Sequence, residues 1–365
     1  MATNKLLETT YDFSRVPPFV VRGDGKPLTD NVINLSANES PFGPSLLVRD
    51  AIAEAQDSIN RYPDRDATEL RQAIAKLNNI DFEKIVCSAG SDTLIFNLVL
   101  AYASRNFEVI LSQFGFIWFR RATLAAGAIP VVVNEKNYRF SVDNVLSAIT
   151  AKTRLIFLAN PNNPTGSFIS HEEIAYLIRK LPDNVLLVID DAYQEYAEPE
   201  GCPNGIDFVK NSHNVVVTRT LSKIYALAAL RIGWAYGPQN IIDNLNRLRQ
   251  PFNINTIAQK AGVAALNDQK FVQSNIEHNK KLVEDMYIAL NTKDLDAHNK
   301  YWHDDMIWHG PPGFGDIHGL TNFKEQVMKP FYAAFPDYYV ENDIVCADET
   351  WVSATGFLTG THKGV

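Results

Sequence analysis

Val185-Leu-Leu-Val-Ile-Asp190-Asp-Ala-Tyr193 sets five consecutive apolar residues directly before two carboxylates and a phenol. A run that is apolar throughout, rather than alternating, is how a strand buried on both faces of a parallel sheet reads. Ligands of such sheets sit beyond the carboxyl ends of the strands, so the polar residues stand where chemistry is expected. Similar runs at Glu108–Ser112, Ile129–Asn134, Arg154–Ala159, Val185–Asp190, Val215–Thr218 and Ile232–Tyr236 predict strands. Helical spacing marks Thr68–Asn79, Asp92–Ser104, Ser141–Thr150 and Ser170–Leu181. Alternation of the two signals predicts an α/β fold, a doubly wound and mostly parallel sheet.

Two further strand ends carry polar residues. Leu155-Ile-Phe-Leu-Ala-Asn160 runs into Pro161-Asn-Asn-Pro-Thr-Gly166, where two prolines and a glycine fix a turn and aim Asn163. Val215-Val-Val-Thr218 leads into Arg219-Thr-Leu-Ser-Lys223, and Arg231 follows eight residues later. Each piece alone has a bland reading: a turn, a helix cap, a surface lysine. Asp190 alone reads first as a cap. All three together, each closing a buried strand, mark a site.

The composition bounds the rest. At 365 residues, 46% hydrophobic and 21% charged, the chain is globular rather than disordered or collagen-like. About 100–200 residues per domain predicts two units. No stretch nears the roughly 18 uncharged apolar residues of a membrane helix, and the N-terminus has no secretory pattern. Cys87, Cys202 and Cys346 lack metal-ligand spacing and fit inert thiols in a reducing compartment, so a cytoplasmic protein is expected. From Glu284 onward five lysines face thirteen carboxylates, so the entire net charge of −8 falls on residues 284–365. No arginine follows Arg249. Neither part is polybasic, which argues against nucleic acid.

The motifs, taken together, resemble a family. Asn34-Leu-Ser-Ala-Asn-Glu-Ser-Pro41, Arg61-Tyr-Pro-Asp64, Ser88-Ala-Gly-Ser-Asp92, Pro161–Gly166, Asp190-Asp-Ala-Tyr193 and Thr220-Leu-Ser-Lys-Ile-Tyr-Ala-Leu-Ala-Ala-Leu-Arg231 resemble the fold-type I pyridoxal 5′-phosphate aminotransferases, most closely those acting on histidinol phosphate. Residues 1–33 read as an irregular N-terminal arm, broken by Pro17-Pro18 and Gly23-Asp24-Gly25; the resemblance implies an aminotransferase large domain at 34–283 and a homodimer acting on an amino acid and a 2-oxo acid.

It also implies roles. Lys223 would carry the covalent link to the cofactor aldehyde and then shuttle a proton at the substrate Cα. Asp190 would face the pyridine nitrogen and keep it protonated. Asn163 and Tyr193 would hydrogen-bond the phenolic oxygen. Ser91 and Asp92 would offer N–H groups to the phosphate at a helix N-terminus. Thr220, Ser222 and Arg231 would complete that cradle. Phe114 would stack on the cofactor ring, and Tyr62 would reach a phosphate across the dimer.

The C-terminal text departs from this family. A complete member continues into a small α/β domain whose arginine grips the substrate carboxylate. Lys324, Lys329 and Lys363 are point charges rather than planar forks, so impaired turnover is expected. From about Lys281 the sequence resembles the SnoaL-like, cone-shaped α+β proteins instead, through Leu282–Trp302, His303–His309, Gly319–Glu325 and Trp351–His362. Residues 284–365 are therefore expected to form a partial SnoaL-like domain, a hairpin or partial sheet with an open edge that ends at Val365 inside or just after a central strand. His303, His309, His318 and His362 match no simple ligand spacing, so no metal is expected. Ser274–Leu290 contains no glycine or proline, so one helix could cross the join of a chimera.

The leading expectation is transamination of the histidinol-phosphate type, in histidine biosynthesis. A cofactor-binding protein without useful activity, a decarboxylase of a phosphorylated amino acid, and a non-enzymatic binding module in the acidic tail remain alternatives.

Overall fold

The computed structural model describes residues 15–17, 37–40, 42–302, 304–309, 316–347 and 352–362. Most of the arm expected at 1–33 and His303 lie outside the described residues. The chain divides into two compact units, Met1–Val272 and Gln273–Val365. The boundary falls within the helix Gln269–Thr292, some ten residues before the change of family read from the sequence.

The first unit is built on a seven-stranded sheet. Its strands are β1 (Ile85–Ala89), β2 (Glu108–Ser112), β3 (Ile129–Val133), β4 (Thr153–Ala159), β5 (Leu186–Asp190), β6 (Val215–Thr220) and β7 (Ile232–Tyr236). They lie in the order β1-β7-β6-β5-β4-β2-β3. The five strands from β3 to β6 are parallel, as the buried apolar runs predict. Every residue of β5 and β6 is buried. Pro130 sits on β3, an edge strand, where its missing N–H does least harm.

β7 runs antiparallel to both of its neighbours. Only one short 3₁₀ turn, Ala228–Leu230, intervenes between β6 and β7. That link is too short for a crossover helix, so the chain reverses instead. β1 carries Cys and Ser and has a weak strand signal; the sequence reading did not mark it.

Helices cover the sheet and seal its core. Ser91–Tyr102 buries Leu94, Ile95, Leu98 and Val99, which pack with Val109, Phe157, Val188 and Ile242. Phe119 and Phe157 stack at 4.4 Å between ring centroids. The helix His171–Lys180 opens with a full capping box, Ser170 with Glu173, and closes on Arg179 and Lys180 to complement its dipole.

In the second unit, β8 (Ile307–His309) pairs with β9 (Asp316–His318), and β10 (Tyr339–Ala347) pairs with β11 (Val352–Thr359). These are two separate two-stranded sheets. Ile317, Leu320, Phe323 and Met328 form a small core with Trp302, Trp308 and Tyr332 against it.

Candidate functional site

The parallel register puts Ala159, Asp190 and Thr218 side by side at the carboxyl ends of β4, β5 and β6. Asp190 is 5% exposed, and its Oδ1 accepts the Thr218 hydroxyl at 3.0 Å. Burial pushes its carboxyl up to about 6; the Thr218 hydrogen bond and the nearby Lys223 charge pull it back toward ionisation.

The turn after β4 delivers Asn163, with Asn160–Pro161 and Asn163–Pro164 both cis. Asn163 Nδ2 donates to the Tyr193 hydroxyl at 3.2 Å. Asn38 Nδ2 donates to the same oxygen at 2.9 Å. Lys223 Nζ stands 5.5 Å from the centroid of the Tyr193 ring and donates to the carbonyls of Ala37, at 2.8 Å, and Asn38, at 3.1 Å. Asn38 lies inside a motif quoted from the sequence, yet it was given no role there. Its signal was an amide among small polar residues ahead of a proline.

A second cluster surrounds the N-terminus of Ser91–Tyr102. Arg231 Nη2 donates to Asp92 Oδ1 at 2.9 Å, and its Nη1 lies 3.5 Å from Ser222 Oγ. Thr220 Oγ1 lies 2.9 Å from Ser222 Oγ and accepts the Ser222 N–H at 3.1 Å. Two glycines let this corner pack closely. A Cβ on Gly90 would stand 2.4 Å from Arg231 Nη2, and one on Gly233 would stand 2.1 Å from the Ser91 nitrogen. The helix dipole, its free N–H groups and a guanidinium together suit a phosphate-sized anion.

Phe114 is partly exposed, its ring centroid 5.4 Å from that of Tyr138, and its carbonyl accepts from Asn162 Nδ2 at 3.2 Å. Tyr62 is set apart. It is 83% exposed and stacks on Phe252 at 4.6 Å, in a groove of about 610 Å³ that also presents Ile59, Arg61, Pro251 and Ile257.

Beneath the site lies a buried ion pair. Arg219 Nη2 donates to Asp191 Oδ2 at 3.1 Å and to Asn204 Oδ1 at 2.8 Å, while Nη1 reaches Asn78 Oδ1 at 3.1 Å. Burial opposes the charge on Arg219, but the Asp191 and Glu195 carboxylates hold it above its usual range. Asp191 is thus committed to Arg219, while Asp190 is the carboxylate that feels the charge of Lys223.

The family model described as aminotransferase class I and II matches residues 30–298. The chain belongs to this family. The histidinol-phosphate aminotransferase of Zymomonas mobilis is 48% identical over 258 residues, 71% of this aminotransferase chain and 69% of the relative. That of a Ruegeria species is 49% identical over 243 residues, 67% of each. A crystal structure of histidinol-phosphate aminotransferase from Sinorhizobium meliloti in complex with pyridoxal 5′-phosphate matches with a TM-score of 0.66 and 29% identity, over 70% of each chain. Residues 281–365 of the aminotransferase match a second model, SnoaL-like polyketide cyclase.

Among the described residues, no helix is long and apolar enough to cross a membrane. In the second unit His309 and His318 lie on β8 and β9, and the His362 ring lies 5.2 Å from that of Phe335. Among the described residues, no group of three or more metal-ligating side chains gathers.

Proposed function

We propose that this chain is a pyridoxal-phosphate-dependent aminotransferase of histidinol phosphate, working with a 2-oxo acid in histidine biosynthesis. The observation that carries the reading is the convergence of Lys223, Tyr193, Asn163 and Asn38 beside a buried carboxylate, in a chain nearly half identical to enzymes of that name. The residues suit the cofactor. Gly90 and Gly233 let the start of the helix Ser91–Tyr102 pack closely beside Arg231, where a phosphate would meet N–H and guanidinium donors, and Asp190 offers a buried acceptor at the strand ends.

When bound, pyridoxal phosphate supplies an aldehyde that links to amines and a ring that draws electrons away from the substrate Cα. Lys223 would be the amine for that link and the base placed to move a proton at the substrate Cα. Asp190 holds the ring nitrogen protonated. Tyr193 and Asn163 orient the phenolic oxygen, with Asn38 fixing the Tyr193 hydroxyl. Ser91, Asp92, Thr220, Ser222 and Arg231 hold the phosphate by backbone N–H, hydroxyl and guanidinium donors. Phe114 would cover the ring face.

The exposure of Tyr62 supports a homodimer in which it serves a second subunit's site. A cytoplasmic setting fits a biosynthetic enzyme. We take residues 34–283 as the aminotransferase domain and residues 284–365 as the SnoaL-like one.

The test is reconstitution with pyridoxal phosphate, borohydride reduction and peptide mapping, alongside a histidinol-phosphate half-reaction. The cofactor is expected on Lys223, and Lys223→Ala should lose the adduct and about 10²–10⁴-fold in rate. Label on another lysine, or no half-reaction in a fully loaded protein, would overturn the reading.

A further inference from the structure

We infer that Thr218 is a positioning residue for Asp190: its buried hydroxyl clamps one carboxylate oxygen and leaves the other, ionised, for the ring nitrogen of the cofactor. The inference rests on the role given to Asp190 above.

The strand itself carries the argument. Val215, Val216 and Val217 are fully buried, and the next residue, equally buried, is the hydroxyl-bearing isostere of valine. A buried hydroxyl is unfavourable unless it is hydrogen-bonded, so packing alone favours valine at this position. What threonine adds is the 3.0 Å bond to Asp190 Oδ1.

The bond is fixed by backbone as well as side chain. Asp190 and Thr218 are register partners of adjacent parallel strands. The Thr218 carbonyl accepts the Asp191 N–H at 2.9 Å, which ties the two strand ends together just beyond the carboxylate. A β-branched side chain in a packed strand has little freedom to turn away.

The charged groups facing Asp190 are Lys223, which follows β6, and Asp191, which is engaged by Arg219. Burial drives the Asp190 carboxyl toward its neutral form, and the Thr218 hydroxyl and the Lys223 charge oppose this. A protonated Asp190 could not hold the ring nitrogen protonated, so the hydroxyl protects the form that works.

The experiment compares Thr218→Val, Thr218→Ala and Thr218→Ser by carboxyl-carbon NMR of ¹³C-aspartate-labelled, cofactor-free protein. The Asp190 signal is assigned by its loss in Asp190→Asn. Thr218→Val should raise the Asp190 midpoint by about one pH unit, and Thr218→Ser should restore it. Thr218→Ala carries the same expectation if valine does not fold. In the loaded enzyme the acid limb of kcat/KM should move with the midpoint, with about a tenfold loss on the acid side. An unmoved midpoint in a folded variant without the hydroxyl overturns the inference. So does a serine variant displaced as far as valine, which would make the effect one of packing. The titration needs no cofactor, so it fails or succeeds separately from the transamination assay.

Discussion

Asn163 and Tyr193 meet side chain to side chain, Nδ2 to hydroxyl at 3.2 Å, although they stand thirty positions apart. Each leaves the end of a different buried strand, β4 or β5, and the parallel register brings the two ends level. The sheet thus brings the two turns together, and their hydrogen bond joins segments anchored on neighbouring strands.

Asp190 should show opposite effects on stability and activity. Its folded-state pKa, about 6, lies above the ordinary 3.8, so the cofactor-free native state binds the extra proton between those values. The associated stability is present below about pH 4 and is lost as pH rises through about 6. Asp190→Asn should remove that loss, on the order of 3 kcal/mol, and raise the neutral-pH Tm of the cofactor-free protein. The same variant should lose about 10²–10³-fold in the half-reaction. Calorimetry at pH 4 and pH 7 checks the first claim; a variant no more stable than the parent at pH 7 would refute it.

The Arg219–Asp191 pair lies at 3.1 Å with side-chain exposures of 6% and 0%. Removing either partner takes away the hydrogen-bonded counter-charge of a buried group. Asp191→Ala should cost about 3–5 kcal/mol in urea unfolding, while Asp191→Ala combined with Arg219→Met should recover part of it. Strict additivity of the two single changes would show that the pair is not coupled.

Gly233 offers a test of the anion corner. A Cβ there would meet the Ser91 nitrogen at 2.1 Å and the Gly90 carbonyl carbon at 2.3 Å, both backbone atoms that cannot swing aside. Gly233→Ala should weaken pyridoxal phosphate binding by about 1–3 kcal/mol, through displacement of the Ser91 N–H groups. Fluorescence titration with the cofactor reads this directly. Binding as tight as the parent's would mean that the corner does not hold the phosphate.

Much of this was legible because buried parallel strands write themselves as unbroken apolar runs, and their ends are where the polar residues collect. Asp190, Tyr193, Asn163 and Lys223 stand out in that way, and the structure gathers them. The direction of β7 was not, since Ile232–Tyr236 is apolar throughout whichever way it runs; the short link before it carried the information. Asn38 escaped because its contact with Tyr193 spans 155 positions, and nothing local marks it. Thr218 escaped because threonine is also an ordinary strand residue. The joining helix, Gln269–Thr292, was anticipated from the lack of breakers in Ser274–Leu290.

The place of β7 in the sheet also sets an order of events during synthesis. Among the described residues β1 is bonded only to β7, and β7 is the last of the seven strands to leave the ribosome. Until residues 232–236 emerge, β1 has no ladder, and the start of Ser91–Tyr102 has neither Gly233 packed against it nor Arg231 beside Asp92. A nascent chain arrested before Tyr236 should therefore carry most of its parallel sheet yet lack affinity for the cofactor's phosphate, and so capture of the cofactor should report completion of the seven-stranded sheet.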